Sequence, residues 1–222
     1  MENLKLYNYF RSSTSFRVRI ALNIKKLNYE YIPVHLLTDG GDQNKFSYRQ
    51  LNPAGGVPTL VHDQTTVSQS VAILEYLDEV FPQTYQLLPK NNVDRAAIRQ
   101  FCQIINSDMH AYNNLKTLKY LDQKLLITSD QKSAWSKHWL SDGLSACENT
   151  LKKSNSLYCF GDSVTMADVL LIPQLFTAVR FEIDIKQYPT LFKINENCML
   201  NESFIKAHPF RQIDTPVELK IK

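Results

Sequence analysis

Four hydroxyls and a guanidinium stand together in Arg11-Ser12-Ser13-Thr14-Ser15, just after an aromatic, alternating stretch and just before an apolar helical face. Hydroxyls at such a junction lie where the unpaired N–H groups and positive end of a helix favour an anion. The same side chains also suit plain N-capping, so position alone leaves both roles open. Other chemical constellations are missing from the sequence. Cys102, Cys147, Cys159 and Cys198 form no C-x-x-C pair and are too widely spaced for a zinc or redox site, so buried free thiols in a reducing compartment are expected. The five histidines, His35, His62, His110, His138 and His208, make no i, i+4 pair, and no H-E-x-x-H occurs, which argues against a metal enzyme.

The chain that positions these hydroxyls has 222 residues, 44% hydrophobic and 21% charged, with six glycines and nine prolines. That composition suits a globular protein with a sizeable core and excludes disordered and collagen-like chains. Twenty-five basic and 22 acidic residues leave a net charge of +3, scattered along the chain, which speaks against nucleic acid or a membrane as main partner. The aliphatic run Val169 to Ile172 stops at Pro173, far short of the roughly 20 residues of a membrane helix. Met1 to Tyr9 lacks the apolar stretch of a secretory signal, and a cytoplasmic location is expected.

Leu4 to Phe10 alternates as a strand does, Ser12 to Ser15 can cap a helix with Val18, Ile20, Ala21, Leu22 and Ile24 on its apolar face, and Tyr29 to Leu37 reads as a second, parallel strand. After a polar loop at Asp39 to Asn44 and the segment Asn52-Pro53-Ala54-Gly55-Gly56-Val57-Pro58, a hairpin is predicted from Thr59–His62 and Thr66–Val67, then a helix capped by Ser68 or Ser70 and running to about Val80. Pro58, at the mouth of a strand, is a candidate for a cis bond. Phe81 to Asn92 reads as a linker. Beyond it the spacing predicts helices over Val93 to about Leu121 and over Ser133 to Leu151, the second with Trp135, Trp139, Leu140, Leu144 and Cys147 on a core stripe. Thr165-Met166-Ala167-Asp168 is a capping box opening a buried helix towards Phe181. The sum is a βαβ-ββα unit over 1–83 and an all-helical unit over 84–222, with ligands expected in a cleft between them.

The run Phe10-Arg11-Ser12-Ser13-Thr14-Ser15-Phe16-Arg17-Val18-Arg19-Ile20-Ala21-Leu22 closely resembles the signature of the zeta-class glutathione transferases, the maleylacetoacetate isomerases. Asn52-Pro53 with Val57-Pro58, Gln69-Ser70, Asn114-Leu115, Gly161 to Asp168 and the tail Arg211-Gln212-Ile213-Asp214-Thr215-Pro216 follow in that family's order, so the resemblance spans almost the whole chain. The Val-Pro, Gln-Ser and capping-box elements are common to glutathione transferases, whereas the serine-rich run and the Asp-Thr-Pro tail look specific to the zeta class.

The resemblance implies a thioredoxin-like N-terminal domain that binds glutathione, an all-helical C-terminal domain that completes the second-substrate pocket, and a homodimer. It places the hydroxyl of Ser12 on the sulfur, with Ser13 and Thr14 in support, the Val57 backbone beside the cysteinyl unit, Gln69 and Ser70 at the γ-glutamyl carboxylate, and Gln43 at the glycyl end. His110 and Asn114, one helical turn apart, are expected to face the ligand together. Lowering a thiol pKa from near 8.5 by roughly two units requires about 2.7 kcal/mol. One hydrogen bond to the charged form and a helix end together supply about that much. The implied reaction is isomerisation of maleylacetoacetate to fumarylacetoacetate, in tyrosine and phenylalanine breakdown, by thiolate addition, bond rotation and elimination. Arg11 and Arg180 are the candidate partners of the dicarboxylate substrate. Thr14 stands where many relatives have cysteine, Phe16 where tryptophan is frequent and Gly56 where glutamine is frequent. Two other functions fit parts of the pattern: a transferase that releases stable conjugates, for example from α-halo acids, and a non-catalytic module of the same fold.

Overall fold

The computed structural model of the chain describes residues 3–221, and these divide into two compact units, one of residues up to 87 together with 201 onward, the other of residues 88–200. The first unit is built on a four-stranded mixed sheet in the order β2-β1-β3-β4. Strand β1 (Leu4–Asn8) buries Leu4, Leu6 and Asn8 on one face and leaves Lys5 and Tyr7 half-exposed on the other. It pairs in parallel with β2 (Glu30–Pro33), Leu6 opposite Tyr31, and antiparallel with β3 (Thr59–His62), Leu6 opposite Leu60. β3 turns through Asp63, whose φ is 52°, into β4 (Thr65–Ser68).

Strands β1 and β2 are shorter than the alternation predicts, and the reason is chemical. The carbonyls of Tyr9 and Phe10 accept hydrogen bonds from Arg19, so the chain leaves the sheet after Asn8. Between the strands run helix α1 (Ser13–Ile24), then, after two short 3-10 turns at Thr38–Gly40 and Asp42–Asn44, helix α2 (Phe46–Leu51), which the polar loop concealed. Helix α3 (Ser70–Val80) follows β4 and packs on α1. Phe16, Val18, Ile20, Leu22, Leu60, Ile73 and Leu77 form the sealed core of this unit.

The segment expected as a linker is firmly held. Phe81, Leu87 and Leu88 are buried, and the Leu87 N–H donates to both oxygens of Asp78, at 3.1 and 3.0 Å. The ammonium of Lys25, with no side-chain exposure, lies 2.6 Å from Asp78 and donates to the Tyr85 carbonyl at 2.7 Å and the Thr84 hydroxyl at 3.2 Å, which engages all three of its donors.

In the second unit the helix expected over Val93 to Leu121 is three pieces. Helix α4 (Asn92–Ile105) passes into a π-helical turn at Asn106–His110 and the single turn α5 (Ala111–Asn113); Asn114, with ψ of 159°, breaks the rod and caps α6 (Leu115–Gln123). Helix α7 (Ser129–Leu151) starts four residues earlier than its stripe suggests because Thr128 and Gln131 cap each other's backbone N–H groups. Its buried seam is Ser136, Leu140, Gly143, Leu144, Cys147 and Leu151. Trp135 and Trp139 lie beside that seam, Trp139 stacked on Tyr112 at 4.2 Å and Trp135 donating its indole N–H to the Tyr112 carbonyl at 2.9 Å. Helix α8 (Met166–Arg180) begins at the foreseen box, where Asp168 accepts the Thr165 N–H at 2.7 Å and the Cys159 N–H at 2.8 Å. Helix α9 (Pro189–Cys198) completes this unit.

The compact units differ from the expected division at 83/84. The last helix, α10 (Glu202–Ala207), and the tail after it belong with the first unit, because α10 packs on α1, Asn23 donates to the Ser203 carbonyl at 3.0 Å and Arg19 to the Ala207 carbonyl at 3.0 Å.

Candidate active site

Ser12 is the N-cap of α1: its backbone is extended (φ −70°, ψ 121°) and its oxygen accepts the Ser15 N–H at 3.2 Å. Capping occupies only the acceptor side of that hydroxyl. The oxygen also lies 2.9 Å from Thr14 Oγ1, and Thr14 in turn donates its proton to the Val57 carbonyl at 2.9 Å. Thr14 has one proton, and Val57 engages it, so Ser12 must be the donor in the Ser12–Thr14 bond. A chain of hydroxyls therefore runs from the helix end to the Val57 backbone, and Ser12 and Thr14 are half-exposed along it. Ser13 is buried.

The Val57–Pro58 bond is cis, as the proline at the strand mouth suggested. The turn before it is braced from below, the Gly56 carbonyl accepting from Tyr48 Oη at 2.6 Å and from Asn52 Nδ2 at 2.9 Å. Among the described residues no group accepts the Val57 N–H, which leaves that amide available to pair with an extended peptide.

Gln69 adopts φ 72° and ψ 116° and carries no side-chain cap, so neither Ser68 nor Ser70 caps α3 as the sequence suggested. That backbone conformation costs a non-glycine residue about 1–3 kcal/mol and is typical of ligand-holding positions. Behind it Ser70 is buried and accepts from Arg17 Nη1 at 3.1 Å, and Arg17 itself is fully buried. A helix end with no side-chain cap and a sealed guanidinium beneath it is matched to a carboxylate. Sequence reasoning passed over Arg17; the available signal was a pair of arginines at 17 and 19 inside an otherwise apolar helix.

Gln43 is buried, contrary to an ordinary solvated glutamine, with Nε2 donating to the Leu36 carbonyl at 3.2 Å and Oε1 without a partner. A buried polar atom left over in this way is the expected mark of a group that completes its bonds with a ligand. Gly41, at φ +91°, makes the arrangement possible: a Cβ there would fall 2.3 Å from Gln43 Oε1 and 2.6 Å from the Leu36 carbonyl.

Arg11 is half-exposed, its guanidinium 5.9 Å from the centre of the Phe10 ring. The remaining expected residues lie in the helical unit. His110 ends the π-helical turn, and Arg180, exposed, ends α8. The expectation that His110 and Asn114 share one helix face fails, because the helix stops between them. Asn114 spends its amide on structure, donating to the Ala111 carbonyl at 2.8 Å and accepting the Thr117 N–H at 3.0 Å.

The four cysteines are buried and none is in a disulfide; burial pushes Cys147 up to about 12 and also raises Cys159 and Cys198 above the ordinary thiol range. These three are inert as nucleophiles. What the hydroxyl chain, the open amide and the cationic helix end can do is hold an extended acidic peptide and stabilise an anion at Ser12.

A thioredoxin-like unit bearing such a site, joined to a helical unit, defines a glutathione transferase. The glutathione S-transferase N-terminal domain family matches residues 2–79. The chain is 42% identical over 215 residues to maleylacetoacetate isomerase of Rattus norvegicus, covering 97% of this chain and 96% of that one. Among solved structures it is similar to a holo maleyl pyruvate isomerase described as a bacterial zeta-class glutathione transferase, with a TM-score of 0.91, 37% identity and coverage of 96% of this chain and 100% of that one. A second, maleylacetoacetate isomerase from Anaeromyxobacter dehalogenans 2CP-1 with dicarboxyethyl glutathione and citrate in its active site, gives a TM-score of 0.84, 35% identity and coverage of 97% and 95%. The chain belongs to the zeta-class glutathione transferases, the family of the maleylacetoacetate isomerases.

Proposed function

We propose that this protein is a glutathione-dependent cis-trans isomerase that converts maleylacetoacetate to fumarylacetoacetate. The observation that carries the reading is the Ser12–Thr14–Val57 hydroxyl chain, in which a single mobile proton, that of Ser12, stands beside a backbone edge able to pair with a peptide. The residues fit glutathione on independent grounds. Gln43 has an unused buried oxygen for the glycyl end, the Val57 amide suits the cysteinyl unit, and Gln69 and Ser70 over Arg17 suit the γ-glutamyl carboxylate.

When bound, glutathione supplies a thiolate that adds reversibly to a conjugated double bond and so permits rotation about it. Ser12 holds the anion by turning its proton from Thr14 to the sulfur while still accepting the Ser15 N–H. Such a charge-assisted bond contributes about 1.5–3 kcal/mol. Thr14 keeps the Val57 carbonyl engaged and offers no thiol to compete with that of glutathione. Ser13 supports the turn, His110 is the helical unit's contact to glutathione, and Asn114 acts by capping α6. Arg11 and Arg180 provide the two cations that a dicarboxylate substrate needs. The homologue with citrate and dicarboxyethyl glutathione in its active site is consistent with that substrate class. A cytoplasmic homodimer completes the reading, and a solution mass of two chains by light scattering is the expected result.

The test is incubation with glutathione and maleylacetoacetate, following the trans product and any conjugate. Catalytic formation of fumarylacetoacetate with glutathione unchanged supports the reading. Accumulation of a stable conjugate in its place would make the protein a transferase, and no turnover by a folded, glutathione-binding sample would leave a binding module.

A further inference from the structure

The zeta-like tail has no part in the site described above, yet it holds the turn that carries Ser12. Phe10 lies two residues before that serine, and both of its backbone polar groups are engaged. Its N–H donates to Asp214 Oδ2 at 2.9 Å, across 204 residues of sequence, and its carbonyl accepts from Arg19 Nη2 at 2.9 Å. The tail carboxylate is anchored in turn by Tyr31 Oη on its other oxygen, at 2.5 Å. Arg19, fully buried, spends its other donors on Asn8 Oδ1 at 2.9 Å, on the Tyr9 carbonyl at 3.4 Å and on the Ala207 carbonyl of α10 at 3.0 Å. The Ser12 N–H then closes back onto Tyr9 at 3.1 Å.

The tail is shaped to deliver that carboxylate. Gln212 donates to the carbonyls of Lys206 and His208 at 2.9 and 2.8 Å, and the Thr215 hydroxyl to the carbonyl of Pro209 at 2.7 Å. These bonds fold the Gln-Ile-Asp-Thr run into a hook with Asp214 on its inner side. Ile213, between them, is 67% exposed and contributes no packing that would explain the hook.

We infer that Asp214 is a positioning residue for the Ser12 turn: the C-terminal tail straps the turn through the Phe10 N–H and so sets where the Ser12 hydroxyl stands. The inference rests on the reading of Ser12 as the sulfur's hydrogen-bond donor. Without the carboxylate, the Phe10 backbone is held by its carbonyl bond to Arg19 alone, and its amide side is freer to shift within the turn that Ser12 closes on Tyr9. A displacement of the donor by a fraction of an ångström weakens a bond whose strength depends steeply on distance and angle.

The experiment compares the parent with Asp214→Ala, Asp214→Asn and Ser12→Ala, measuring the pKa of bound glutathione's thiol, kcat, KM for the acidic substrate, and amide exchange at Phe10. Asp214→Ala is expected to raise the bound thiol pKa by half a unit or more, to lower kcat about tenfold with KM for the acid within about twofold, and to speed Phe10 exchange. Asp214→Asn keeps an acceptor oxygen for the Phe10 N–H and is expected to restore most of kcat. A folded Asp214→Ala protein with parental thiol pKa and kcat, while Ser12→Ala raises that pKa, overturns the strap and leaves the Ser12 reading intact. An unmoved pKa in Ser12→Ala overturns the Ser12 reading, whatever Asp214 does. Should Asp214→Ala not fold, Tyr31→Phe, which frees the other oxygen of the tail carboxylate, decides: faster Phe10 exchange together with a raised bound-thiol pKa supports the strap, and a parental thiol pKa refutes it.

Discussion

Replacing Ser12 by alanine separates the two functions that one hydroxyl performs. As a cap, Ser12 Oγ accepts the Ser15 N–H at 3.2 Å, and losing a serine cap costs about 1 kcal/mol. In a chain of this length that lowers Tm by about 2–4 °C. As a donor, the hydroxyl has one proton, now resting on Thr14 at 2.9 Å and transferable to an anion because Thr14's own proton is committed to Val57. Losing a bond worth about 1.5–3 kcal/mol raises the pKa of the bound thiol by roughly one to two units. A thiol brought to about 6.5 and then released to about 8 falls from about three-quarters thiolate at pH 7 to about one-tenth. The ultraviolet absorbance of the thiolate, titrated on the glutathione complex of parent and variant, measures that shift directly. Ser12→Thr keeps both cap and donor and should titrate within about half a unit of the parent. If the variant loses its Tm but not its low thiol pKa, the hydroxyl is a cap alone, and the mechanism built on it is wrong.

Four further outcomes follow from the structure. Asp78→Ala strands the sealed Lys25 ammonium 2.6 Å from a missing carboxylate and frees the Leu87 N–H, so urea unfolding should show a loss of about 3–5 kcal/mol. Gly41→Ala forces a side chain into a positive φ and against the Leu36 carbonyl, at a cost of about 1–3 kcal/mol, and by displacing Gln43 should weaken glutathione binding in calorimetry. Arg180→Ala, at the exposed end of α8, should raise KM for the dicarboxylate several-fold with little change in stability; an unaltered KM returns Arg180 to the surface. His208 is held at about 4, below its ordinary value, by burial first and then by Arg19 and Arg211. Because the unfolded chain takes up that proton near pH 6.5 and the folded chain does not, stability should fall as pH drops from about 6.5 to about 4, and the slope should flatten in His208→Gln.

The local signals were dependable where a few adjacent residues decide the outcome. The capping box at Thr165 and Asp168, the β3–β4 hairpin and the cis bond before Pro58 all depend on residues within hydrogen-bond reach along the chain, and each stands as read. The failures have one cause. The helix through His110 and Asn114 has good spacing throughout, but the Asn114 amide stabilises α6 better as a cap than it would as a helical residue, so the rod breaks there. The Phe81 to Asn92 stretch has the composition of a linker, and what pins it beside its own buried side chains is Asp78, just before it, paired with the buried Lys25 from far off in sequence. Gln43, at the end of a polar loop, gave no sign that it would be sealed from solvent.

Residue type and spacing alone thus established the two kinds of unit, the βαβ-ββα order and the hydroxyl cluster at the first helix end, because periodicity, caps and turns are properties of neighbours along the chain. Only the folded molecule decided that Thr14 turns its proton to Val57, that Arg17 lies under Ser70, and that Asp214 returns across 204 residues to the Phe10 N–H. Those contacts join segments whose separation in sequence carries no information about their distance in space. They exist because a polar group sealed from water is costly to leave unpaired, so most sealed groups find a partner within the protein.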